Sequence, residues 1–179
     1  MVKMENGIWS IKKREEELTV LVSCNQITGQ FGLSLTRGEA GELAEERDES
    51  LKKYGRVEFG KGILDKIIYQ FCDSDYIFQE NYLEALIRLQ EMFYEFKRAA
   101  EDRLSDDELL NFMKEQFETV CTGDLDYLED TCLERFAAAV RAGYGGYKAS
   151  EGRGEYEKIS EEVRWDKNLY QEVLKELFW

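Results

Sequence analysis

The residues with the clearest spacing for chemistry lie in the segment Gly55-Arg-Val-Glu-Phe-Gly60-Lys61-Gly62. Two glycines followed by a lysine match the start of a phosphate-cradling loop, in which backbone amides face the phosphates and the lysine reaches the outer ones. The next position should carry a hydroxyl to hold magnesium, and here it is Gly62. A nucleotide loop also follows a buried strand, whereas Leu51-Lys-Lys-Tyr54 reads as the end of a helix. The pattern therefore argues against ATP or GTP hydrolysis. It leaves a narrower reading, an anion-binding loop in which Arg56, Gly60, Lys61 and Gly62 hold a phosphate or carboxylate at the start of the next helix. The competing reading is a glycine-rich connection whose Gly55 caps a helix and whose Gly60 and Gly62 supply unusual backbone angles.

Other chemistries fail on residue type or spacing. The chain has no histidine, which removes Ser/His and Cys/His nucleophile pairs and every imidazole-containing metal site. Asp73-x-Asp75 and Asp124-x-Asp126 begin like calcium loops, but Phe78 and Glu129 stand where the turn needs glycine. Helix capping accounts for the same acids. Cys24, Cys72, Cys121 and Cys132 form no CxxC pair, so buried thiols in a reducing cytosol are expected rather than a zinc site. No metal ligand set, no cofactor site and no catalytic residue is assigned. Two acids in apolar settings are candidates for burial: Glu58, between Val57 and Phe59, and Asp166, on the stripe of the last helix. Burial would raise either pKa, whereas an ion pair with a nearby Arg or Lys would hold it ionised.

These residues must be positioned by helices. The absence of proline in 179 residues, where about nine would be expected at average usage, points to long helices joined by glycine turns. Thr36-Arg-Gly-Glu39, Ser105-Asp-Asp-Glu108 and Thr131-Cys-Leu-Glu134 each have the pattern of a capping box. Tyr82, Leu86, Leu89, Phe93, Phe96 and Ala100 alternate at four and three residues, with Leu83, Ile87 and Tyr94 on a second flank, as in a helix packed on two sides. Leu18 to Val22 fits a strand as well as a helix, and helix is the preferred reading over 10–31. The expected fold is all-α, an irregular bundle of six to seven helices around a central helix at 82–100. Residues 1–142 form the core domain, 143–154 a glycine-rich connection, and 155–179 a helix that docks on the core or on a second subunit.

The stretches Asn25-Gln-Ile-Thr-Gly-Gln-Phe-Gly-Leu-Ser-Leu-Thr36, Gly55-Arg-Val-Glu-Phe-Gly-Lys-Gly-Ile63, Phe71-Cys-Asp-Ser-Asp-Tyr-Ile77, Glu101-Asp-Arg-Leu-Ser-Asp-Asp-Glu-Leu109 and Gly123-Asp-Leu-Asp-Tyr-Leu128 resemble an uncharacterised family of small bacterial proteins from Firmicutes. The resemblance implies a bacterial cytosolic origin and one compact unit. It implies no activity and no catalytic residues.

Charge completes the picture. The net charge is −14, and residues 73–134 alone hold 18 acids against 5 bases, so the middle is strongly acidic between nearly neutral ends. Such a field disfavours phosphate-backbone binding. No apolar run is long enough to span a bilayer, and no secretory signal pattern is present at the amino terminus. The resulting expectation is a cytoplasmic, non-catalytic interaction domain that presents an acidic helical face to a basic or polar protein partner. Nucleic acid and membrane are not among its expected partners, and the last helix allows self-association. The alternatives are a binding domain or enzyme for a small anionic ligand at 55–62, and an acidic mimic of nucleic acid.

Overall fold

Local capping chemistry decides where several of the helices begin. The Thr36 hydroxyl accepts from the Glu39 amide at 3.1 Å and the Glu39 carboxylate accepts from the Thr36 amide at 2.8 Å. Ser105 and Glu108 make the same reciprocal pair at 3.2 and 2.7 Å. Each box satisfies two of the amides that a helix leaves without intrahelical partners at its start.

The computed structural model describes residues 2–58 and 62–144, with side chains from Ser10 onward. Every regular element among them is helical: α1 (Val2–Ser23), α2 (Asn25–Thr28), α3 (Arg37–Lys53), α4 (Leu64–Phe71), α5 (Tyr82–Ala99), α6 (Asp106–Thr119), α7 (Leu125–Tyr127) and α8 (Glu134–Arg141). The fold is an irregular helical bundle, and Leu18 to Val22 lies within α1 rather than in a strand. No described helix is long and apolar enough to cross a membrane. Gly60, Lys61 and everything beyond Tyr144, including the expected 155–179 helix with Asp166 and Trp179, lie outside the described residues.

Two compact units divide the chain, 1–94 and 95–179. In the first, α1 packs on α3 and α4. Ala40, Leu43, Ala44, Arg47 and Ser50 form the buried stripe of α3. At the end of α3 the Arg56 amide donates to the Leu51 carbonyl and the Gly55 amide to Lys52, with Gly55 at φ +61°. This is a Schellman stop, in the conformation that glycine adopts without a Cβ penalty. The Asn25 side chain pairs with both the amide and carbonyl of Leu35 at 2.8 Å, and the Gln79 amide brackets Ser34 likewise. Leu64, Ile67, Ile68 and Phe71 bury one face of α4. Helix α5 buries Tyr82, Leu86, Leu89 and Phe93 on one side, as the four-three spacing predicts; of the expected second flank Tyr94 is buried but Leu83 and Ile87 are only half-buried, and Ala85 and Met92 are buried instead.

In the second unit, Lys97 near the end of α5 is buried, and its ammonium donates to the Leu104 carbonyl and to Asp106. Leu109, Leu110, Phe112, Met113 and Phe117 face inward from α6, and Phe112 stacks on Phe136 of α8 with ring centroids 3.7 Å apart. The capping box expected at Thr131 does not form. Residues 128–133 instead make a π turn that runs on from α7 into α8. A cap requires an extended backbone at its first residue, and burial of Leu128, Cys132, Leu133 and Phe136 keeps this stretch helical, the wider turn carrying Leu133 inward.

Candidate functional site

In the run Glu45-Glu46-Arg47-Asp48-Glu49, the α3 register turns Arg47 toward the core while Glu45, Glu46 and Glu49 face water. Arg47 is 8% exposed and gathers three carboxylates: Glu17 of α1, Asp48 at 3.1 Å and Glu58 at 3.6 Å. Burial works against its charge, but the Glu17, Asp48 and Glu58 carboxylates outweigh it and lift its pKa above that of an ordinary arginine. Arg14 extends the network, pairing with Glu17 at 3.2 Å and with Asp48. The Tyr94 hydroxyl of α5 donates to Glu58. Gly62, at φ +69°, completes the arrangement: a Cβ there would strike the Glu58 carboxylate and lie 3.3 Å from the Arg47 guanidinium.

Beside this network opens a cleft of about 310 Å³. Its apolar wall is Val20 and Leu21 of α1 with Leu51 of α3. Five carboxylates line it, Glu16, Glu17, Asp48, Glu58 and Asp65, against two cations, Lys13 and Arg47. Among the described residues Glu16 and Asp65 take part in no ion pair. The volume sits at the small end for a ligand pocket and suits one long side chain. Chemically the cleft offers an apolar wall for a hydrocarbon stem and an acid rim for a cation.

The residues singled out from the sequence fall as follows. Glu58 is half-buried in the network, in contact with Arg47 and Tyr94. Arg56 is half-buried at the foot of the α3 stop, and Gly62 stands against Glu58. Gly60, Lys61 and Asp166 lie outside the described residues. Sequence reasoning missed Arg47, Glu17 and Asp48. The available signal was register: Arg47 follows Ala40, Leu43 and Ala44 at seven, four and three residues, on the buried stripe of α3.

A family model described as a family of unknown function, DUF6323, matches residues 20–146. The chain belongs to the DUF6323 family. No curated protein and no solved structure matches it. The DUF6323 match takes in Arg47, Asp48, Glu58, Asp65 and Tyr94, and leaves Lys13, Glu16 and Glu17 before its start.

Proposed function

We propose that this DUF6323 protein is a non-catalytic interaction domain of the bacterial cytoplasm, whose acid-lined cleft receives a basic side chain from a partner protein. The observation that carries the reading is the cleft itself, with five carboxylates facing two cations across the Val20, Leu21 and Leu51 wall. Glu17, Asp48 and Glu58 are committed to Arg47, so Glu16 and Asp65 remain to meet an incoming ammonium or guanidinium. The net charge of −13 over residues 73–134 supports it further, since a field of one sign steers an oppositely charged partner and speeds encounter. Four buried free thiols suit a reducing compartment.

The anionic-ligand reading of 55–62 is the rival. Against it stands the Glu58 carboxylate packed on Gly62, a negative charge where a phosphate would seek amides. The nucleic-acid mimic needs acids in two regular rows. The exposed acids of the second unit instead belong to separate segments, such as Glu101, Asp107, Glu115 and Asp126. Residues 1–142 acting as the core, and 155–179 docking on it or on a second copy, belong to the same proposal; a light-scattering mass tests the second copy.

Calorimetric titration of the full chain with a lysine- and arginine-rich amphipathic peptide tests the cleft. Binding is expected, and Glu16→Gln with Asp65→Asn should weaken it by about 0.2–1 kcal/mol per charge removed. Equal affinity of the double variant removes the cleft from consideration. Binding of inorganic phosphate in place of the peptide transfers support to the rival.

A further inference from the structure

We propose that Cys121 and Cys132 form an oxidisable pair that closes into an intramolecular disulfide when the protein meets a hydroperoxide. The two thiols come from different segments, eleven positions apart, yet their sulfurs lie 3.6 Å from each other. Both belong to the second unit, Cys121 just after α6 and Cys132 inside the π turn. Neither site is regular α-helix. The Cys121 amide donates to the Gln116 carbonyl five residues back, Thr122 sits at φ +46° and Gly123 at φ +87°. Cys132 lies in a turn that already carries an extra residue. Closure requires the sulfurs to approach to about 2.05 Å, and these two irregular segments can supply the movement without breaking a long helix.

The surroundings give the pair a direction. Burial raises both thiol pKa values, that of Cys121 to about 12, with the Cys132 thiol and Asp124 adding to the rise. For Cys132 the hydrogen bond from Cys121 and the charge of Arg135 act the other way, favouring its thiolate. Cys132 is also the more exposed, at 8% against 4%. In this proposal it makes the attack. Its thiolate takes the terminal oxygen of a hydroperoxide, becoming a sulfenic acid while the O–O bond breaks and the alcohol leaves with a proton. The Cys121 sulfur then attacks the sulfenic sulfur and water departs. In sum, two thiols and one hydroperoxide give one disulfide, one alcohol and one water, with two electrons passing from sulfur to oxygen. Burial keeps the thiolate scarce, so the reaction is slow beside that of an exposed low-pKa thiol. Cys24 and Cys72 serve as internal references, each pointing its thiol at a carbonyl of the preceding helical turn, Val20 and Tyr69 respectively.

The test exposes the folded full chain to hydrogen peroxide, alkylates remaining thiols in denaturant, and maps the peptides by mass spectrometry. The expected product is a Cys121–Cys132 cross-link reversible by dithiothreitol, with Cys24 and Cys72 alkylated and no cross-link in Cys132→Ser. Because that variant could fold poorly, the wild-type chain is also equilibrated in graded thiol–disulfide buffers. The same cross-link should then appear as the buffer becomes more oxidising. Full alkylation of all four cysteines, uniform loss at all four, sulfinic acid at Cys132 without a cross-link, or cross-links only between molecules would each overturn the proposal.

Discussion

Arg47 holds three carboxylates that would otherwise repel one another inside a helical core. Replacing it with Met keeps the volume and removes the charge, leaving Glu17 and Glu58 half-buried without their main counter-charge. The variant should lose about 1–3 kcal/mol, the cost of leaving partly buried polar groups without a partner, with Arg14 still paired to Glu17 and Asp48, measured by urea unfolding at neutral pH. A change below 1 kcal/mol would show that the carboxylates find water instead. The buried thiols and Tyr82 make a separate prediction. Burial raises the pKa of Cys121 to about 12 and those of Cys132 and Tyr82 as well, so the folded state keeps protons that the unfolded chain releases. Their contribution is complete below the unfolded thiol value of about 9 and is lost as pH climbs toward 12. Denaturation midpoints should therefore fall steadily across that alkaline window, and a flat profile would contradict the burial of these groups. At this scale the sequence was half legible. Glu58 was visible as an acid between Val57 and Phe59, whereas Arg47 was hidden among like-looking charges because composition carries no register.

Helix starts are local chemistry, and two of the three capping boxes written in the sequence are present. Thr36→Ala should cost about 1 kcal/mol, since it removes a hydroxyl acceptor from the Glu39 amide. Thr131→Ala should stay within about 0.5 kcal/mol, as a surface change away from such features, because Thr131 sits in the middle of a π turn and caps nothing. Thermal melts of the two variants side by side decide this, and equal losses would restore the capped helix at 131. The pattern at Thr131 misled for a physical reason: the four residues that define a box do not report whether the preceding backbone is extended. That is set by burial of Leu128 and Leu133, which is tertiary. The four-three spacing of α5 succeeded because it extends over five turns and each turn repeats the same statement.

Across the whole molecule, charge was legible as an amount and a location along the chain, but not as a surface. The second unit commits several of its cations to backbone carbonyls: Lys97 to Leu104, Arg103 to Val140 and Arg141, and Arg141 to Ala99. Arg103 and Arg141 close the ends of α8 and α5 in this way, while Lys97 and Arg103 also pair with one acid each, Asp106 and Glu101, which leaves the other exposed acids of the unit to set its field. Association with a basic peptide should accordingly weaken as salt rises, with the loss chiefly in the association rate; stopped-flow traces at two ionic strengths check it, and salt-independent rates would exclude steering. The all-helical class followed from missing proline and from periodicity, while the convergence of α1, α3, Glu58 and Asp65 on one cleft required the packing itself. The π turn has a consequence of its own for the numbering of the chain. A helix advances about 100° per residue, so the added residue acts as a phase correction that brings Phe136 onto Phe112. Between Leu128 and Leu133 the count of residues is thus as constrained as their identity: an insertion or deletion of one would turn the whole of α8 away from its partner, where a substitution would disturb a single contact.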